Sequence, residues 1–329
     1  MTSNSDVNRR TFLTRVGLAA ASASLIAPLR DAGAQTPVPN SSGTASPKLQ
    51  APANACDCHH HIYDAVRFPP PADSSNPMVS QARVEEYQLL RTRLHTTRSI
   101  IVTPSPYVTD NRVTLDAIAR FEGTARGVAV VRPGVTDAEL QALDRAGIRG
   151  IRFSLNLSAS TPNPVTTIDM VEPLSKRIAP LGWHVQINLA PESIVAAEAL
   201  WNRLPTPIVF DHIARIPGRD GTRHPAYAVV RRLIDKGRTW VKLSVTSGDA
   251  ISEDGPPTYA DLVRLGREFV KAAPERLVWG SNWPHPGQTE KPDDAILFDL
   301  MARWAPDDRA RRRILVDNPG MLYGFDRSL

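Results

Sequence analysis

The sequence predicts an α/β protein built as a single (β/α)8 TIM barrel, and three observations predict it. From residue 54 onward, eight short apolar runs alternate with longer segments of helical character. Two of those runs alternate between apolar and polar residues, as half-polar strands do. No Gly-x-Gly-x-x-Gly turn follows any run, which argues against an open doubly wound sheet.

Taken in order, the chain opens on an address. Residues 8–14 carry Arg9-Arg10 followed by Phe12-Leu13, and an Ala-rich run without charge spans Val16 to Leu29. That run is too short for a membrane span, which needs about 20 residues, so no stable membrane anchor is expected. Ala32-Gly33-Ala34 completes a cleavage signal. Residues 1–34 therefore read as a twin-arginine (Tat) signal peptide, which implies the Tat translocase as an export partner and the periplasm as destination. Residues 35–53, rich in Pro, Ser and Ala without periodicity, read as a disordered linker, leaving 54–329 as one barrel domain.

The strands are expected at 55–62, 99–103, 127–131, 150–154, 184–189, 208–212, 240–245 and 277–281. Between them, Thr136 is placed to cap a helix that Gly147 ends, and 258–273 and 294–303 show helical periodicity. In His184–Leu189 one face is Val, Ile and Leu, and the other is His, Gln and Asn. Barrel strands turn their apolar face onto the helices, so the polar face points inward and marks a site at the C-terminal mouth.

Composition excludes several classes. With 42% hydrophobic and 22% charged residues the chain is not disordered as a whole. Two cysteines, Cys56 and Cys58, make neither a disulfide framework nor a four-thiolate zinc site, and at this spacing they read as buried free thiols. The formal charge of +5 falls to +3 once the leader is removed. The only dense basic run, Arg309 to Arg313, has no nucleic-acid motif beside it and reads as a solvated helix face.

The chemistry gathers at strand ends. Asp57-Cys58-His59-His60-His61 places His59 and His61 on one side of a strand, suited to a metal or an oxyanion. Asp211-His212 ends the sixth strand, and Gly280-Ser281-Asn282-Trp283-Pro284-His285 follows the eighth.

These stretches, with Gly150-Ile151-Arg152-Phe153, Gly182-Trp183-His184-Val185 and Val316-Asp317-Asn318-Pro319, resemble the amidohydrolase superfamily in its amidohydrolase-related branch. The resemblance covers nearly all of 54–325, implies a metal-dependent-hydrolase-like barrel, and is greatest to the branch's lactone-processing members. It implies His59, His61, His212 and Asn282 as catalytic residues. Ser105, Arg152, Asn188, Lys242, Ser244 and His285 are expected to bind substrate. Ser105 also fits a turn, and Arg152 also fits a tie between strand ends.

The superfamily's binuclear metal pattern fails here, because Arg152 stands where a bridging Lys or Glu is wanted. The similar lactonases work without metal, so no cofactor is expected; the alternative is one zinc on His59, His61 and His212. The family's strand-eight Asp, its general base, is Asn282, and an amide takes no proton from water. A second carboxylate-binding arginine is replaced by Ser158, and another aligns loosely with Gly248.

The expected function is therefore hydrolysis of a small anionic lactone of a sugar acid or dicarboxylic acid, with no nucleic acid as partner. His285 or His184 would stand in as base. Two alternatives stay open: a lactone isomerase lacking that base, and a non-catalytic periplasmic binding protein.

Overall fold

Eight parallel strands are hydrogen-bonded in chain order: β1 (Cys56–His60), β2 (Arg98–Val102), β3 (Ala125–Ala129), β4 (Ile148–Leu155), β5 (His184–Leu189), β6 (Ile208–Phe210), β7 (Thr239–Leu243) and β8 (Leu277–Trp279). This computed structural model describes residues 36–72, 74, 81–155, 165–246 and 252–325. The leader, Ser158 and Gly248 lie outside them. Around the strands run α1 (Val84–Leu94), α2 (Arg112–Arg120), α3 (Asp137–Arg145), α4 (Val171–Ile178), α5 (Pro191–Ala196), α6 (Glu198–Arg203), α7 (Pro225–Asp235), α8 (Ala260–Ala272), α9 (Asp294–Trp304), α10 (Asp308–Arg312) and α11 (Asn318–Tyr323).

The expected (β/α)8 TIM barrel is the architecture found. The Thr136 cap is present, its hydroxyl accepting from the Glu139 N–H while the Glu139 carboxylate takes the Thr136 N–H. Gly147 ends that helical segment at φ +96°, a conformation costly for any side chain. The Arg309–Arg313 run falls on α10 and the turn after it, mostly exposed, as a solvated face should.

The barrel closes where β1 meets the end of β8. The Asn282 N–H donates to His59 O at 2.8 Å, and the His61 N–H donates to Trp283 O at 2.9 Å. A side chain at Gly280 would lie 2.6 Å from His59 Cβ, so glycine is what lets the two edges approach. The buried Asp57 carboxylate pins this seam. It accepts from the N–H groups of His59 and Ser281 and from the hydroxyls of Ser281 and Tyr87.

The β1–β2 register shifts between Asp57 and His60, and this bulge changes which residues face inward. Before it, Cys56 and Cys58 join Ile100, Val102, Val128, Val209, Trp240 and Val278 in an apolar layer covered by Tyr323 of α11. After it, His59 and His61 face inward, while His60 stacks on Tyr87 with ring centroids 3.5 Å apart. Both cysteines are buried free thiols, as expected.

The segment from residue 36 to 53 departs from the expected disordered linker. It is strapped across α1, α9 and the β8–α9 connection. Pro39 O accepts from Trp283 Nε1, the Ser42 N–H donates to Pro292 O, and the Leu49 N–H donates to Asp299 Oδ1. The buried Arg93 donates to the carbonyls of Ala45 and Ser42 and pairs with Asp293. Apart from the contacts of the Ser41 N–H with Val38 O and of the Ser41 hydroxyl with Ser42 O, the hydrogen bonds named for this segment go to the barrel, so it carries no periodicity to read.

Candidate active site

Three of the four residues expected to be catalytic form one cluster at the C-terminal ends of the strands. The His59 and His61 rings lie edge to face with centroids 5.0 Å apart, and the His59 and His212 centroids are 4.8 Å apart. His59 Nε2 is 3.3 Å from His61 Nε2. Outer contacts hold the other two rings: His61 Nδ1 donates to Val102 O at 2.7 Å, and His212 Nδ1 lies 2.9 Å from Ser244 Oγ. Burial drives all three to the neutral form. It pushes His61 and His212 down to about 3, and holds His59 well below the usual range although Asp211 opposes the shift.

His212 is delivered by unusual backbone. His212, Ile213, Ala214 and Arg215 have φ of +50°, +52°, +54° and +53°. Four successive left-handed residues without glycine cost roughly 1–2 kcal/mol each, and such strain concentrates at functional sites. The turn also swings Arg215 toward the cluster, its Nη1 3.5 Å from Asn188 Oδ1. Burial and then the neighbouring Arg152 lower its pKa. Sequence reasoning missed Arg215, because nothing in Asp-His-Ile-Ala-Arg announces a left-handed turn.

Beneath the rings lies a belt of buried charge. Asp211 Oδ2 accepts from Arg152 Nε and from Gln186 Nε2, both at 3.1 Å. Asp211 Oδ1 is 3.3 Å from His59 Nδ1 and 3.6 Å from Lys242 Nζ. Burial raises the Asp211 pKa, but the Lys242 and Arg152 cations outweigh it and hold the carboxyl well below the usual range.

Lys242 departs from its expected place at the substrate. Its ammonium is wholly buried and donates to Cys58 O at 2.8 Å, Gln186 Oε1 at 2.7 Å and His59 Nδ1 at 3.2 Å. Its three N–H groups are thereby used inside the wall. Ser244 likewise sits buried behind His212, and His285 is fully buried with Nε2 3.1 Å from both oxygens of Asp294. Both hold neighbours rather than line the mouth.

Arg152 and Asn188 fit the mouth better. Arg152 is 6% exposed, and the partly exposed Asn188 donates to Ser154 Oγ. Ser105, partly exposed, opens a short turn directly after β2. Asn282 is buried at φ +65°, a conformation that asparagine tolerates better than most residues. His184, the other candidate base, is buried, and burial pushes it down to about 3.

Among the described residues, His59, Asp211 and His212 bring candidate metal-ligand atoms within 4.8 Å of one another. A buried ammonium adjoins this donor set. Lys242 Nζ stands beside both His59 Nδ1 and Asp211 Oδ1. At an effective dielectric constant of about 20, a +2 ion about 4 Å from that ammonium is repelled by about 8 kcal/mol, and the Asp211 carboxylate at a like distance attracts it by about as much.

Comparison with known proteins places this geometry. The chain is 33% identical to a 4-sulfomuconolactone hydrolase of Rhizobium radiobacter, over 83% of this chain and 91% of that protein. It is 33% identical to a 2-pyrone-4,6-dicarboxylate hydrolase of Comamonas testosteroni, over 85% and 93%. It is 30% identical to a D-galactarolactone isomerase of Agrobacterium fabrum, over 86% and 94%. An apo crystal structure from Agrobacterium tumefaciens superposes with a TM-score of 0.75 at 28% identity, covering 86% of this chain and 99% of that one. The amidohydrolase family model matches residues 56–325, from the first residue of β1 to just past α11, and the chain belongs to that family.

Proposed function

We propose that this enzyme acts at the carbonyl of a small anionic lactone, from a sugar acid or a dicarboxylic acid, and hydrolyses the ring without a metal. The observation that carries this reading is the charge balance around the histidines. Arg152 and Lys242 face the single carboxylate of Asp211, and Arg215 adds a further positive charge at the rim. Three neutral histidines within an excess of positive charge suit an anionic substrate and the oxyanion formed when its carbonyl is attacked. All three relatives act, by their names, on lactones or a pyrone dicarboxylate.

Each residue then has a task. The terminal nitrogens of Arg152 form the fork that a carboxylate takes, with its Nε held by Asp211. Arg215 supplies the second cation that positions 158 and 248 do not. His212, held at Nδ1 by Ser244, offers Nε2 to the carbonyl oxygen. Asn188 and Ser105 offer neutral hydrogen bonds to hydroxyl groups.

One observation favours a second reading, isomerisation. Asn282 cannot take a proton from water, Asp211 is paired and held strongly acidic, and His285 is engaged by Asp294. Where the substrate's own hydroxyl attacks, the nucleophile is already in place and the ester migrates round the ring.

Following a panel of aldarolactones and pyrone carboxylates by NMR separates the readings. Open-chain acid formed at an enzyme-dependent rate supports hydrolysis, and a migrated ring without acid supports isomerisation. No turnover of any anionic lactone would leave only a binding protein. The leader is read as sending the enzyme to the periplasm through the Tat translocase. Replacing Arg9 and Arg10 with Lys should then hold the uncleaved chain in the cytoplasmic fraction, and unchanged export would reject that address.

A further inference from the structure

The geometry points to Lys242 as the residue that keeps the histidine cluster free of metal, by fixing His59 as the tautomer protonated on Nε2. The inference deepens the metal-free reading above and rests on it. An ammonium has three N–H groups, and Lys242 has three acceptors within hydrogen-bond distance: Cys58 O, Gln186 Oε1 and His59 Nδ1. An ammonium only donates, and Asp211 Oδ1, the other candidate partner for His59 Nδ1, lies slightly farther away at 3.3 Å. His59 Nδ1 is therefore an acceptor, and the proton of the neutral ring lies on Nε2.

The next link agrees. His61 Nδ1 is 2.7 Å from Val102 O, and a carbonyl only accepts, so the His61 proton lies on Nδ1 and its Nε2 carries a lone pair. His59 Nε2–H points its proton at that lone pair across 3.3 Å. Every donor from Lys242 through His59 and His61 to Val102 then meets an acceptor. The opposite tautomer of His59 sets two lone pairs face to face, an arrangement that a cation or an added proton must relieve.

Lys242 thus decides between a shared proton and a metal. Without its ammonium, His59 Nδ1 is released to donate to Asp211 Oδ1, a carboxylate–histidine pair of the kind that supports metal-bound imidazoles. Both Nε2 atoms are then open, together with His212, to a divalent cation. Lys242 acts through His59 and touches no substrate, which makes it a positioning residue.

Two measurements test this, and neither uses turnover. Nitrogen-15 NMR of labelled histidines in the wild-type protein, assigned with His59→Gln and His61→Gln, should find His59 protonated at Nε2 and His61 at Nδ1. A His59 ring protonated at Nδ1 overturns the inference. Wild-type and Lys242→Met proteins are also equilibrated with excess zinc, desalted and analysed for metal. The wild type should keep far less than stoichiometric zinc, and Lys242→Met should retain it stoichiometrically. Stoichiometric zinc in the wild type, or none in a folded Lys242→Met protein, overturns the inference. If Lys242→Met does not fold, the NMR result decides alone. Absence of lactone turnover would defeat the proposed activity and leave both of these readouts standing.

Discussion

The barrel interior has two layers that obey different rules. The lower layer, with Cys56, Val209, Trp240 and Val278, is apolar and packs against Tyr323. The layer above it holds Arg152, Gln186, Asp211, Lys242 and three histidines, almost all withdrawn from water. The lower layer is stabilised by burial itself, about 25 cal/mol per Å² of apolar surface. In the upper layer burial opposes folding, and each charge is tolerated only because a named partner sits beside it. The lower layer therefore accepts small changes of shape, whereas the upper layer accepts hardly any change of charge. The proposed binding and chemistry are confined to the layer that is costly to build.

The sharpest way to test that contrast is to break the upper layer at its centre. Asp211→Asn leaves Arg152 and Lys242 as buried cations without a counter-charge. It should cost about 3–5 kcal/mol of stability, read as a lower denaturant midpoint, and remove most activity as well. Arg152→Met should mainly cost substrate affinity. Losing a charge-assisted contact worth about 1.5–3 kcal/mol corresponds to a drop in kcat/KM of roughly 10–100-fold on an anionic lactone, with a smaller drop on an uncharged one.

The lower layer supplies the control. Val278→Ala deletes two methyl groups and should cost about 2 kcal/mol of stability while leaving kcat/KM unchanged. If it lowered kcat/KM as much as Arg152→Met, the two layers would not be separate in function.

The two layers differed equally in how far the sequence revealed them. Strand period and turn residues made the eight strands legible, and His184–Leu189 was placed to the residue. The starts at 208 and 277 also held, and the other ends moved by one or two positions, because strands stop where pairing stops and pairing is a tertiary fact. The histidines were legible as a motif, but their support was not. Lys242, Ser244 and His285 read as substrate contacts because a sequence gives the face of a strand and not the depth along it. The β1 bulge, which puts both Cys58 and His59 inside, breaks the alternation on which such reading rests. Arg215 and the strap at 36–53 were invisible for a related reason: neither carries a period, and both are held by partners distant in sequence.

The smallest expected effect is a pH dependence that also separates the layers. His61, His184 and His212 are each pushed down to about 3 by burial. The stability they contribute is full above their ordinary value near 6.5 and is lost as the pH falls toward 3. Asp57, lifted by burial to about 6 against four hydrogen-bond donors, works oppositely. Its contribution is full below about 3.8 and is lost as the pH rises through 6. Three groups outweigh one, so thermal melts should fall from pH 7 to pH 4.5. In Asp57→Asn, which removes the opposing group, that fall should be steeper.

The central claim is that neutral histidines and buried cations, without a metal, turn over an anionic lactone. It is tested most directly by the initial rate of lactone consumption after exhaustive dialysis against a chelator, with and without added zinc. The account predicts an enzyme-dependent rate that survives chelation and does not rise when zinc returns. A rate abolished by the chelator and restored by zinc would contradict it.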